Sequence, residues 1–194
     1  MDSTGNNEPK RWKKLGARTI ATTQIFEVQR VQFQHPAHQA PREFAVINAP
    51  DWVNIVALTS NHELVLVRQF RYGTDEFSLE IPGGMIDPGE DPLVAGLREL
   101  QEETGYAGGR ARMLGSVHPN PSMLNNRCHY VLVEGATRSA AVEWDENEEM
   151  EISVLPVDEV YALAYAGGIT HALVLAALQQ FSPVWAKIRA GGIV

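Results

Sequence analysis

The chain has 194 residues and a formal net charge of −8 at neutral pH, and 44% of its residues are hydrophobic. This length suits one domain with a small appendage, and the acidic balance argues against a nucleic-acid partner, which requires a basic surface. The single cysteine, Cys128, excludes an internal disulfide and is typical of a reducing compartment, so we expect a cytoplasmic protein. The longest apolar run, 172–178, is too short to span a membrane, and no apolar stretch predicts a signal peptide.

The first part of the sequence predicts a β ribbon. Residues 1–16 are polar and include a short basic run, so we expect a flexible tail there. Apolar and polar residues alternate over 26–33, and a second strand pattern covers 43–47. We therefore expect an antiparallel ribbon over 17–48, followed by a larger domain over 49–190.

The larger domain alternates strand and helix patterns, which is typical of an α/β fold. Short apolar runs rich in β-branched residues predict the strands, and turn residues separate them. The expected strands are 53–58, 64–70, 77–81, 111–117, 128–134 and 152–156, and helices are expected at 158–163 and, capped by Thr170, at 171–181.

The stretch from Gly83 to Tyr106 predicts a glycine-containing loop followed by a helix. Asp91 lies at an N-cap position, and Pro92 suits the first helical position because a missing N–H costs nothing there. The helix should end near Thr104, because Gly105 can adopt the left-handed conformation that stops it. The apolar side of this helix, which we expect to pack on a sheet, consists of Leu93, Leu97 and Leu100.

A second side of this helix is acidic. Glu99, Glu102 and Glu103 lie three or four residues apart, and like charges at this spacing destabilise a helix. Arg98 can neutralise only part of that charge. A divalent cation with oxygen ligands is the natural compensation, and a solvated acidic surface is the alternative.

This stretch resembles the Nudix hydrolase signature at every specified position. Gly84 is followed after five residues by Glu90, and after seven more by the run from Arg98 to Tyr106. The resemblance implies an α/β/α sandwich with a mixed sheet, here preceded by the ribbon. It also implies Mg²⁺- or Mn²⁺-dependent hydrolysis of a nucleoside diphosphate linked to another group.

The resemblance also implies roles for individual residues. Glu99 and Glu103 would be the leading metal ligands, Glu102 a further ligand, and the carbonyl oxygen of Gly83 another. Arg98 would orient the carboxylates, and we expect both Arg98 and Glu103 to be catalytic residues. Glu90 would help to fix the loop.

Several residues before the loop are candidates for substrate binding. Arg68 and Arg71 lie near a strand end, where a guanidinium can present paired donors to phosphate. In the ADP-ribose branch that the sequence resembles, the Gln-Phe-Arg triplet ending at Arg71 borders the diphosphate. A surface salt bridge from Arg71 to Glu76 or Glu80 is the alternative, and Glu80 could instead support the metal site. Trp52 could stack on a base or fill the core.

Two later features add to this resemblance. Pro121, in the loop after the signature, resembles a mark of the ADP-ribose pyrophosphatase branch. The acidic run 143–151 could be a charged surface loop, but in that branch a loop at this place supplies the general base, with Glu146 first and Glu148 second. Cys128 lacks a paired base, so we expect an inert buried thiol.

These observations predict a hydrolase that splits a nucleoside diphosphate sugar, ADP-ribose or an ADP-sugar above all, into a nucleoside monophosphate and a sugar phosphate. Resemblance to that branch implies a homodimer built through the ribbon. Other Nudix substrates, such as GDP-mannose, a dinucleoside polyphosphate or a nucleoside triphosphate, are alternatives. A non-catalytic nucleotide sensor of the same fold is an alternative of another class.

Overall fold

The computed structural model describes residues 8–144 and 149–192. The chain divides into two compact units, and each is described by itself. The first unit is Met1–Ala49 with Asn120–Asn125, and the second is Pro50–Pro119 with Asn126–Val194. In the described residues, no helix is long and apolar enough to cross a membrane.

The described part of the first unit forms a three-stranded antiparallel sheet in the order β1-β2-β3. The strands are β1 (Lys13–Thr22), β2 (Glu27–Gln34) and β3 (Arg42–Asn48). Strand β1 begins inside the segment that we expected to be a tail. Aromatic packing holds the start of this strand in place. The Trp12 ring packs edge-on against Phe44, with ring centroids 5.7 Å apart, and against His35 at 5.0 Å.

The second unit contains the larger sheet. Within its described residues, seven strands form a mixed sheet: β4 (Trp52–Leu58), β5 (Glu63–Arg71), β6 (Glu76–Glu80), β7 (Gly83–Met85), β9 (Arg110–Val117), β10 (Cys128–Glu134) and β12 (Met150–Pro156). Their order is β12-β5-β4-β10-β9, with β6 paired to β5 and β7 paired to β4; β10 runs parallel to β4, and the other pairs are antiparallel. Two short strands, β8 (Tyr106–Ala107) and β11 (Thr137–Arg138), pair antiparallel in a separate sheet.

Helices cover this sheet on each face. The helices are α1 (Pro92–Thr104), α2 (Val157–Tyr165) and α3 (Ala172–Arg189). Alternate residues of β10 enter different cores: Val131 and Val133 pack with α1, whereas Tyr130 and Leu132 pack with α2 and α3. The arrangement is the mixed α/β sandwich that the sequence predicts.

Strands β4 and β5 separate soon after their hairpin, and this separation places the glycine loop. They pair at Leu58 and Leu64; beyond that point β5 pairs with β6, and β4 pairs with β7. The amide N–H of Ile55 donates to the carbonyl of Pro82 at 2.8 Å, so the loop is held against β4. The chain therefore enters α1 from a fixed position beside the sheet.

One expectation about α1 is wrong. Leu100 is fully buried, but Leu97 is 37% exposed, and the side facing the sheet is completed by Ala95, Gly96 and Glu103. The small residues allow α1 to approach closely, since a Cβ on Gly96 would lie 3.0 Å from the Val131 side chain. The leucine spacing therefore located the buried side only approximately.

Helix α3 also differs from its prediction. His171 rather than Thr170 is the N-cap residue, and the helix continues through Pro183 to Arg189. Pro183 has no N–H for the carbonyl of Gln179, but the Ser182 hydroxyl donates to that oxygen at 3.0 Å. Trp185 then buries its ring in the core, and this burial stabilises the last turns of the helix.

Phe181 provides a test of this core. It is fully buried, and we expect Phe181→Ala to lower the free energy of unfolding by about 3–5 kcal/mol, because it removes apolar contacts and leaves a cavity. Leu175→Ala on the same helix is the matched control, since Leu175 is 38% exposed, and it should cost far less. Urea denaturation measures both variants. Equal losses would contradict the placement of α3.

Candidate active site

The helix that carries the acidic side begins and ends as its sequence predicts. The Asp91 carboxylate accepts the N–H of Leu93 at 2.9 Å and of Val94 at 3.4 Å, which satisfies amides that have no partner inside the helix. Pro92 is the first helical residue. Gly105 has a φ of 70° and donates its N–H to Gln101, so the left-handed stop is confirmed.

Gly83 and Gly84 are needed because other atoms occupy the space of a side chain. A Cβ on Gly83 would overlap the carbonyl oxygen of Val53 on β4. A Cβ on Gly84 would overlap the carboxylate of Glu99 on α1. The two glycines therefore let the loop lie between the sheet and the acidic side of the helix.

Arg98 binds most of the acidic groups around it. Its Nη1 donates to Glu99 at 2.8 Å and to Glu102 at 3.0 Å. Its Nε and Nη2 donate to the two oxygens of Glu90 at 3.0 and 2.9 Å, and Nη2 also reaches the Met85 carbonyl at 3.3 Å. The guanidinium thus joins the loop to the helix. The roles expected for Arg98 and Glu90 stay predictions.

The charges of this group support one another. Hydrogen bonds from Arg98 lower the pKa of the Glu90 carboxyl, and the hydrogen bonds to Glu90 and Glu99 raise the pKa of the guanidinium. Glu90 and Arg98 are therefore each held in the charged form. Arg98 also lies four residues before Glu102, a spacing at which opposite charges stabilise a helix.

Glu103 is held differently from its neighbours. Its side chain is 4% exposed, and one oxygen accepts the amide N–H of Gly83 at 2.9 Å. Its backbone carbonyl, at the helix end, accepts the indole N–H of Trp144 at 2.8 Å. Glu103 thus ties the end of α1 to the glycine loop. The Trp144 contact was not predicted, because nothing in the local sequence places Trp144 beside the helix.

The oxygen groups fit a divalent cation that has further ligands. Glu99 and Glu102 already converge on one cationic nitrogen of Arg98, and Glu103, on the same helix, is joined to Gly83 of the loop by a hydrogen bond. Among residues 8–144 and 149–192, however, no three acidic, histidine or cysteine side chains form a ready metal cluster. A divalent cation held by these oxygens would therefore need water or substrate oxygens as further ligands.

Arg71 forms a paired ion contact with Glu80. Its Nε and Nη2 donate to the two Glu80 oxygens, each at 2.7 Å. Burial alone raises the pKa of the Glu80 carboxyl, but the hydrogen bonds and charge of Arg71, with His171 nearby, lower it overall. The expected salt bridge to Glu80 is therefore present, and Arg71 remains 42% exposed at the surface.

Arg68 and Trp52 are placed elsewhere on the same unit. The Arg68 guanidinium lies 4.4 Å from the ring centroid of Phe77 and 3.4 Å from the Glu151 carboxylate. Trp52 is half-buried against the core that contains α3, which supports the core alternative for this residue. For these two residues, substrate binding stays a prediction.

The remaining residues singled out in the sequence add no described contact to the acidic side of α1. Pro121 lies in an exposed turn of the first unit. Glu146 and Glu148 lie outside the described residues. Cys128 is fully buried, burial raises the pKa of its thiol to about 12, and its Sγ donates to Asn54 at 3.0 Å, as expected for an inert thiol.

Comparison with known proteins identifies the fold and its relatives. The NUDIX domain model matches residues 50–178, which is more than half of the chain. A crystal structure of an ADP compounds hydrolase superposes with a TM-score of 0.80 at 24% identity, covering 94% of this chain and 98% of that one. The predicted Nudix fold is confirmed.

Two curated relatives align over most of their length. The methanol dehydrogenase activator of Bacillus methanolicus is 33% identical over 79% of this chain and 84% of its own. The ADP-ribose pyrophosphatase of Bacillus subtilis is 27% identical over 86% of this chain and 93% of its own.

The close approach at Gly83 gives a stability test. We expect Gly83→Ala to lower the free energy of unfolding by about 1–3 kcal/mol, because the new methyl group meets the backbone of β4 and one of them must move. Gly73→Ala is the control, since nothing lies within 4 Å of a Cβ there. Denaturant unfolding compares the two, and a Gly83→Ala protein as stable as the control would be inconsistent with this packing.

Proposed function

Because this chain belongs to the NUDIX domain family, we propose that it hydrolyses the diphosphate bond of a nucleoside diphosphate sugar, with ADP-ribose or an ADP-sugar as the favoured substrate. The products are a nucleoside monophosphate and a sugar phosphate. One observation carries the proposal: on α1, Glu99 and Glu102 meet at one nitrogen of Arg98, and Glu103 accepts the N–H of Gly83 in the adjoining glycine loop.

The relatives support the type of reaction. The Bacillus subtilis relative, which covers nearly the whole chain, is an ADP-ribose pyrophosphatase. The full set of signature acids in this chain is what hydrolysis requires, whereas a nucleotide sensor has no need of them. We therefore favour an enzyme over a binding module.

The proposed cofactor is Mg²⁺, with Mn²⁺ as an alternative. Glu99, Glu102, Glu103 and the Gly83 carbonyl would hold it. A bound divalent ion neutralises diphosphate charge and lowers the pKa of an attacking water. Arg98 keeps the Glu99 and Glu102 carboxylates oriented, and the buried Glu103 keeps the loop carbonyls close to the helix.

Other residues of the chain would hold the substrate and accept the proton. Arg71, at the end of β5, presents a partly exposed guanidinium that suits a phosphate oxygen, and Arg68 lies on the same strand. Glu146, or else Glu148, is proposed as the general base that takes a proton from water. The roles of Trp52 and Pro121 stay predictions.

We further propose a cytoplasmic homodimer that binds this small molecule and no nucleic acid. Exposed apolar side chains on the ribbon support the dimer: Leu15 is 44% exposed, Ile20 46% and Ile25 52%. A second copy would cover such residues, since soluble monomers seldom expose large apolar patches.

A substrate panel tests the proposed reaction. Purified protein with Mg²⁺ should convert ADP-ribose to AMP and ribose 5-phosphate faster than it converts GDP-mannose, a dinucleoside polyphosphate or a nucleoside triphosphate. Chromatography identifies the products. Faster conversion of another compound would show that ADP-ribose is not the preferred substrate. Tight binding of ADP-ribose without turnover would instead favour the nucleotide sensor.

Glu103→Gln tests the metal assignment. Glutamine keeps the shape of the side chain and can still accept the Gly83 N–H, but it loses the charge that attracts a cation. We expect kcat to fall at least about 100-fold, since loss of even an outer-shell partner of a metal costs 10–100-fold. Melting temperature should change little. Glu159→Gln, on the exposed side of α2, is the control, and wild-type hydrolysis by Glu103→Gln would refute the assignment.

A further inference from the structure

In the ion pair of Arg71 and Glu80, the carboxylate is buried and therefore needs a cationic partner. Glu80 is 1% exposed, and both of its oxygens accept N–H groups of Arg71. Arg71 is 42% exposed, so its guanidinium extends from the buried carboxylate to the surface. If a phosphate group draws Arg71 away, Glu80 is left as a buried charge without compensation, which is strongly unfavourable.

His171 lies where a second cation could compensate that charge. Its Nε2 is 3.8 Å from the same Glu80 oxygen that accepts Nη2 of Arg71. The other ring nitrogen, Nδ1, is buried and has no hydrogen-bond partner among the described residues. The ring does not cap α3 either, although His171 is the N-cap residue. Neither a hydrogen bond of Nδ1 nor capping therefore accounts for the position of the imidazole.

Two opposing fields act on this imidazole. The N-terminus of α3 carries a partial positive charge, which favours the neutral ring. The Glu80 carboxylate favours the protonated ring. The charged side chains facing His171 in the described part of the chain are Glu80 of β6 and, across the shared carboxylate oxygen, Arg71 of β5.

We propose that His171 takes up a proton and pairs with Glu80 whenever Arg71 leaves that carboxylate to hold a phosphate group of the substrate. The proton comes from solvent, and the carboxylate exchanges one cationic partner for another. His171 is thus a positioning residue for the release of Arg71, not a catalytic one. The link to substrate rests on the proposed function, but the exchange between the two cations does not.

An Arg71→Met variant tests the exchange without any substrate. Methionine removes the guanidinium permanently, so His171 should bind its proton at least about tenfold more tightly than in the wild-type protein, as an opposite charge at this distance predicts. Imidazole titrations followed by NMR measure this change, with His171→Gln identifying the signal. Arg71→Lys, which keeps a cation beside Glu80, should stay close to the wild-type titration.

His118 is the internal control in the same spectra. Its ring contacts the Asn126 carbonyl, and its titration should not change in Arg71→Met. An unchanged His171 titration in Arg71→Met would overturn the proposal. So would protonation of Glu80 itself, seen in the carboxyl ¹³C shift, while the His171 ring stays neutral.

Calorimetry extends the test to binding. A non-hydrolysable methylene analogue of ADP-ribose is titrated with Mg²⁺ in buffers of different ionisation enthalpy. The wild-type protein should take up a proton on binding and His171→Gln should not, whereas equal uptake by both would overturn the proposal. An analogue that fails to bind the wild-type protein would count against the proposed function instead, and the NMR titration would still decide the exchange.

Discussion

The rest of the site depends on the hydrogen bonds that the Arg98 guanidinium donates to the surrounding carboxylates. Several carboxylates on one helix repel one another, and Arg98 offsets this by binding Glu99 and Glu102 through one nitrogen and Glu90 through two others. Because Arg98 stays charged at any ordinary pH, its hydrogen bonds hold these carboxylates close together. The carboxylates of the proposed metal site are thereby brought together before any cation arrives.

The backbone contributes as much as the charges. The early separation of β4 from β5 leaves room for β7, and Gly83 and Gly84 bring its backbone against both the sheet and the acidic helix. Glu103 then fastens the loop by accepting the Gly83 N–H. The proposed metal site requires this closeness, since the carbonyl of Gly83 and the carboxylate oxygens would have to reach the same ion.

The parts that the sequence predicted are those set by local signals. Asp91 and Gly105 define α1 through contacts within a few residues, so its bounds could be read directly. The exposure of Leu97 depends on the tilt of the helix against the sheet, and no local pattern contains that information. Likewise, nothing in the local sequence chooses between Glu76 and Glu80, and the structure pairs Arg71 with the buried Glu80. Long-range packing thus accounts for the misses.

The most direct measurement is a crystal structure with Mg²⁺ and a non-hydrolysable ADP-ribose analogue. The account predicts ions bound by carboxylate oxygens of α1 and the carbonyl of Gly83, in contact with the diphosphate. Ions bound elsewhere, with Glu99 and Glu102 still closed on Arg98 and the analogue away from α1, would contradict it.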